Sequence, residues 1–154
     1  MERGIPVKLS HVRTLFLSVL VCGYADVYAK EKVVLVTSQA CPISTLSSLD
    51  LRKIFLGFKL RRDGLVIRAY RNLSDARLEQ IFLQAVVAMS KKSYRRRLLW
   101  LRLNYGNPKI SEFQVPEDFI DQLKTSPCGV TYMWEDSVPS TSGLKILDTL
   151  WQND

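Results

Sequence analysis

The chain has 154 residues, a length that suits one domain with an ordinary core. At 47% hydrophobic and 24% charged, with no repeat or low-complexity tract, it is not a disordered chain. A formal net charge of +7 suits anionic partners, whether nucleic acid, anionic lipid or a small oxyanion, and does not choose among them.

Residues 1–29 read as an export signal. Lys8, His11 and Arg13 form a basic stretch, Leu15 to Gly23 an apolar run, and Val27-Tyr28-Ala29 a cleavage sequence that places the cut after Ala29. The uncharged run from Thr14 to Ala25 is short of the roughly 20 residues that span a bilayer, although an uncleaved anchor or a buried helix is the alternative. Cys22 follows the bulky Val21, which argues against lipid attachment. Losing Arg3, Lys8, Arg13, Glu2 and Asp26 would leave residues 30–154 at a net +6. Cys41 and Cys128 would then enter an oxidising compartment, where a bridge between them and a pair of buried thiols are both open readings.

Lys32 to Thr37 is a β-branched run that reads as a buried strand. After a turn-rich stretch, Ser47 and Asp50 have capping-box spacing for a helix that buries Leu51, Ile54 and Phe55 and ends at Gly57. Lys59 to Gly64 reads as a basic turn, and Leu65 to Tyr70 as the second strand. Ser74 or Asp75 caps a helix whose apolar stripe is Leu78, Ile81, Phe82, Ala85, Val86 and Met89. Ser90 opens another helix, to about Leu103, with Tyr94, Leu98 and Leu101 on one face. Pro116 begins a fourth helix that buries Phe119, Ile120 and Leu123. Val130 to Met133 and Leu144 to Leu147 are the last two strands. The order predicts an α/β domain with long crossovers and a partly parallel sheet.

Several segments resemble the phosphate ABC-transporter substrate-binding proteins. Leu49-Asp50-Leu51-Arg52-Lys53-Ile54-Phe55-Leu56-Gly57 is similar to their L-x-x-I-F-x-G helix, and it follows a Val-rich strand and Pro42-Ile43-Ser44-Thr45-Leu46 as it does there. Val66 to Arg71 resembles their strand ending in arginine, Phe82 to Ser90 their F…V…M-S helix end, and Gly129 to Tyr132 their G-x-x-Y strand. These segments keep the family's order from Val33 to Leu147. The resemblance implies a three-layer α/β fold of the type II periplasmic-binding class with a small mixed sheet. Residues 30–154 have room for little more than one of the family's two lobes.

The resemblance also implies a non-catalytic solute-binding role, with phosphate or another small oxyanion as ligand and no cofactor. Thr37, Ser38, Arg71, Ser74 and Arg77 are the candidate ligand-binding residues. The family's Ser-Gly-Thr triplet, which grips phosphate with hydroxyls and helix N–H groups, is replaced by Arg71-Asn72-Leu73-Ser74-Asp75-Ala76-Arg77. The family's tryptophan after the I-F-x-G helix gives way to Lys59-Leu60-Arg61-Arg62. Arg71 offers a bidentate fork, Ser74 a hydroxyl and Arg77 a second cation, whereas Asp75 competes for the same helix start. The other outcome is a helix capped by Ser74 and Asp75, with Arg71 solvated or paired to Asp75.

Other chemistry fares poorly. The only His lies in residues 1–29, so Ser-His-Asp, Cys-His and zinc sites cannot be assembled after cleavage, and no catalytic or metal residue is assigned. No phosphate-binding glycine loop is present. Lys91, Lys92, Arg95, Arg96, Arg97 and Arg102, with Tyr94 and Trp100, make a basic helix that is either simply solvated or rests on an anionic partner. Export argues against nucleic acid and leaves a membrane surface or an acidic face of an envelope protein. The competing functional class is therefore an interaction module that contacts an envelope sensor or transporter subunit.

Overall fold

The computed structural model describes residues 1, 31–141 and 143–153; the expected export signal, Met1 apart, lies outside them. In chain order the elements are β1 (Lys32–Ser38), α1 (Ser48–Phe55), β2 (Leu60–Arg62), β3 (Leu65–Asn72), α2 (Ala76–Phe82), α3 (Lys91–Tyr105), β4 (Ser111–Phe113), α4 (Pro116–Thr125), β5 (Gly129–Trp134) and β6 (Leu144–Gln152). A π-helical turn, Leu83–Val87, extends α2, and a 3-10 turn, Glu135–Ser137, follows β5.

The six strands form one mixed sheet in the order β2-β3-β5-β1-β6, with β4 paired to β3. β1 runs antiparallel to both of its neighbours, β5 and β6, while β3 is parallel to β5. That parallel pair needs a crossover, and α2, α3 and α4 supply it. β1 is buried along nearly its whole length because both faces of the sheet are covered. Its alternation divides two cores: Val33 and Leu35 face a cluster with α1, α2 and α3, and Val34 and Val36 face Phe119 and Leu123 of α4. The domain is thus three-layered, helices on each side of a sheet. In the larger core Phe82 stacks flat on Tyr132 with ring centroids 3.9 Å apart, and Phe55 meets Phe82 edge-on at 4.6 Å.

Local chemistry sets the helix ends. Ser47 accepts the N–H of Asp50 at 3.1 Å, and Gly57, at φ +84°, turns the chain out of α1. The carboxylate of Asp50 does not complete the box; it takes Arg62 Nη2 at 2.5 Å. Asp75, rather than Ser74, caps α2, accepting the N–H groups of Arg77 and Leu78. Two expectations are corrected. Leu60–Arg62, read as part of a turn, is a strand that pairs with Leu65–Ile67 across Asp63-Gly64, whose positive φ angles suit a tight hairpin. The α2 stripe is also redirected: Leu83 and Val87 are buried where Ala85 was expected, and Ala85 is exposed. The pairs Leu78/Leu83 and Phe82/Val87 stand five residues apart, the repeat of a π turn.

Cys41 and Cys128 are joined in a disulfide, with Cα atoms 5.0 Å apart. It lies where β1 ends and β5 begins, beside the Thr37↔Val130 register. Gly129 must be glycine, because a Cβ there would come within 2.5 Å of the Tyr70 ring.

Candidate functional site

The corner between the end of β3 and the start of α2 gathers the candidate cations. Arg71 is one of the largest fully buried side chains, 1% exposed. Its Nη2 donates to Glu79 Oε1 of α2 at 2.6 Å, and its Nη1 donates to Glu112 Oε1 of β4. The guanidinium also lies over the ring of Tyr94, 4.8 Å from its centroid. The second oxygen of Glu79 accepts from Lys91 Nζ at 2.6 Å. Two cations and two carboxylates therefore close on one another, and within this cluster the buried Arg71 Nε has no hydrogen-bond partner among the described residues. Burial pushes the phenols of Tyr94 and Tyr132 up, so both remain neutral donors, to Phe55 O and to Asn72 O respectively.

The remaining candidates are engaged elsewhere. Ser74 Oγ and its N–H both donate to Asn72 Oδ1, at 2.6 and 3.0 Å. Arg77 makes a bidentate pair with Glu31 just ahead of β1 and lies over Trp134, 5.4 Å from the ring. The Trp134 indole N–H donates to Asp75 Oδ2 at 2.9 Å. That bond, followed by the Leu78 N–H, holds the Asp75 carboxyl below its ordinary value of 3.8. The α2 cap is thereby occupied by its own aspartate, the negative charge best placed to repel an incoming oxyanion.

Thr37 and Ser38 stand at the other end of the sheet. Thr37 is level with Val130, whereas Trp134, which meets Asp75, lies at the far end of the same β1–β5 ladder, with Glu31, the partner of Arg77, just ahead of β1. Thr37 Oγ1 donates to Gly129 O at 2.6 Å, and Ser38 Oγ accepts the N–H of Ala40 at 3.3 Å. The five candidates do not converge. Glu79, Glu112 and Trp134, the residues that define the corner, were not singled out from the sequence. Glu79 was read only as part of a helix, and Glu112 joins Arg71 from 41 positions away.

The basic helix is a second region of interest. α3 has no acidic residue. Lys91 is spent on Glu79, and Arg97 lies 4.6 Å over the ring of Trp100. Opposite the buried Tyr94 and Leu101, helical spacing places Lys92, Arg96, Leu99 and Leu103 on one outward stripe. Leu103 is 75% exposed and Leu99 52% exposed, so the stripe carries apolar as well as basic side chains. Among the described residues no helix is long and apolar enough to cross a membrane, and no group of three or more His, Cys, Asp and Glu side chains could hold a metal ion.

No family model and no curated protein matches the chain in sequence. Solved structures do match its fold. An ABC-type phosphate transport receptor from Vibrio cholerae aligns over 78% of the chain with a TM-score of 0.56 and 12% identity. PstS from Borrelia burgdorferi aligns over 78% with a TM-score of 0.55 and 14% identity. The match covers 46% and 47% of those two proteins, so the chain spans about half the length of the receptors it resembles. A helix-covered mixed sheet of this topology, aligned to about half of each receptor, gives the chain the α/β fold of a phosphate-receptor lobe.

Proposed function

We propose that the chain is an exported, non-catalytic domain of binding-protein fold that works as an interaction module with an envelope protein, such as a sensor or transporter subunit. It does not clamp free phosphate at the α2 corner. The enclosure of Arg71 by Glu79 and Glu112 carries this reading. An oxyanion entering there would displace a carboxylate from a buried guanidinium and then face that carboxylate unpaired. The outward stripe of α3, basic and partly apolar, supplies the surface for an acidic partner. Export is supported by the pattern of residues 1–29, and the Cys41–Cys128 bond suits an oxidising compartment.

Titration calorimetry with inorganic phosphate tests the closed corner. No saturable heat that depends on Arg77 or Ser74 is expected, whereas a Kd of about 1 μM at that corner would correspond to about −8 kcal/mol. Saturable binding that is abolished by Arg77→Ala or Ser74→Ala would overturn the reading.

A further inference from the structure

The outer edge of β3 is covered in two separate pieces. Arg68 donates its N–H to Cys128 O toward β5, whereas Leu73, just past the end of β3, donates to Phe113 O of β4. An odd separation along a strand turns these two groups to opposite edges, so β2 and β4 share the edge that faces away from β5. β2 covers Leu65–Ile67 and β4 covers Tyr70–Asn72, leaving a notch at Arg68 and Ala69. The segment after α1 and the stretch Pro108–Ser111 wall this notch into a cleft of about 490 Å³. Ligand sites commonly fall between about 300 and 1,000 Å³, mostly apolar with a few convergent polar groups.

The lining has that character. Ile54, Ile67, Tyr70 and Ile110, all buried, form an apolar floor, and Lys59, Arg61, Arg68 and Lys109 stand around it. No carboxylate lines the cleft. None of the four cations makes an ion pair or a side-chain hydrogen bond among the described residues. Their neighbour Arg62, by contrast, is matched to Asp50. A cleft lined by one sign of charge over low-dielectric walls concentrates anions from solution. Four uncompensated cations suit a group that carries more than one negative charge, which a phosphate monoester does near neutral pH and a lone carboxylate or a phosphodiester does not.

We propose that this cleft binds an organic phosphate, its phosphate held by Lys59, Arg61, Arg68 and Lys109 and its apolar portion resting on the Ile54–Ile67–Ile110 floor. The phosphate belongs either to a soluble monoester or to the monoester headgroup of a lipid such as phosphatidic acid. The site is separate from the α2 corner and shares no residue with it.

The probes are 1-naphthyl phosphate in solution and vesicles of phosphatidic acid against phosphatidylcholine, each added to the full chain. Saturable naphthyl phosphate binding is expected, weakened tenfold or more by Arg68→Ala and by Lys109→Ala, and unchanged by Arg96→Ala on α3. Inorganic phosphate should bind at least tenfold more weakly, because it cannot use the floor. Binding of naphthyl phosphate with no preference for the anionic vesicles assigns a soluble ester. Sedimentation with phosphatidic acid vesicles alone that requires Arg68 and Lys109 assigns the headgroup. Absence of both, or binding indifferent to these two substitutions, overturns the proposal. Phosphate captured at the α2 corner would instead depend on Arg77 and ignore Arg68, so the failure of either reading is seen separately.

Discussion

Two groups of cations a few residues apart on β3 have opposite surroundings. At the end of the strand Arg71 is buried, and both of its Nη nitrogens are met by carboxylates. At its middle Arg68 is exposed, stands with Lys59, Arg61 and Lys109, and meets no carboxylate. The first group resembles an anion site in sequence and is an internal brace; the second lies off the expected site and keeps its charge available. What a cation is already paired with, more than where it falls in a motif, decides whether an anion can use it.

The comparison breaks most visibly at Glu79. Glu79→Ala would leave Arg71 with Glu112 alone and Lys91 with no partner there, and removing one member of a buried pair costs about 3–5 kcal/mol. Urea unfolding should show a loss of that size. A loss below about 1 kcal/mol, the range of exposed pairs, would mean that the corner is open to solvent and to anions.

Acid sharpens the contrast at smaller scale. The Asp75 carboxyl is held below 3.8 by the Trp134 indole and then the Leu78 N–H, so its contribution is fully present above its unfolded value and fades as pH falls through its lower folded value. Asn caps helices about as well as Asp, so Asp75→Asn isolates the charge, worth about 0.3–1 kcal/mol at a helix start. The stability gap between wild type and this variant should be constant above about pH 5 and close below about pH 4. A gap that widened in acid would contradict the hydrogen-bond assignment.

The smallest change in stability belongs to the cleft. Arg68→Ala removes an exposed cation without a partner and should leave unfolding within about 0.5 kcal/mol of wild type. Loss beyond that would place Arg68 in the same structural class as Arg71 and erase the distinction.

Elements with local causes were legible in the sequence. The Val-rich β1, the Ser47 and Ser90 caps and Pro116 at the start of α4 each act within a turn of the chain. The β2 hairpin had its signal in Asp63-Gly64, but Leu60-Arg61-Arg62 carries too little apolar pattern to announce a strand. β4 is three residues long and depends on β3 for its pairing, and β6 extends to Gln152, well past the expected Leu147. The π turn escaped because apolar residues at 82, 83, 85, 86 and 87 fit a regular helix as well as a widened one. At the site, Arg71 and Arg77 were visible as residue types, yet their partners Glu112 and Glu31 lie 41 and 46 positions away. Nothing within a helical turn of either arginine reports those pairings.

The Cys41–Cys128 bond spans 87 positions, and everything from α1 to α4 hangs between its ends. A protease that nicks the exposed Asp63-Gly64 tip would therefore cut the backbone without releasing a fragment. The clipped chain would run as one species on a non-reducing gel and separate into two once a thiol reductant was added. Surface damage to this domain would thus stay hidden until a reductant opened the disulfide.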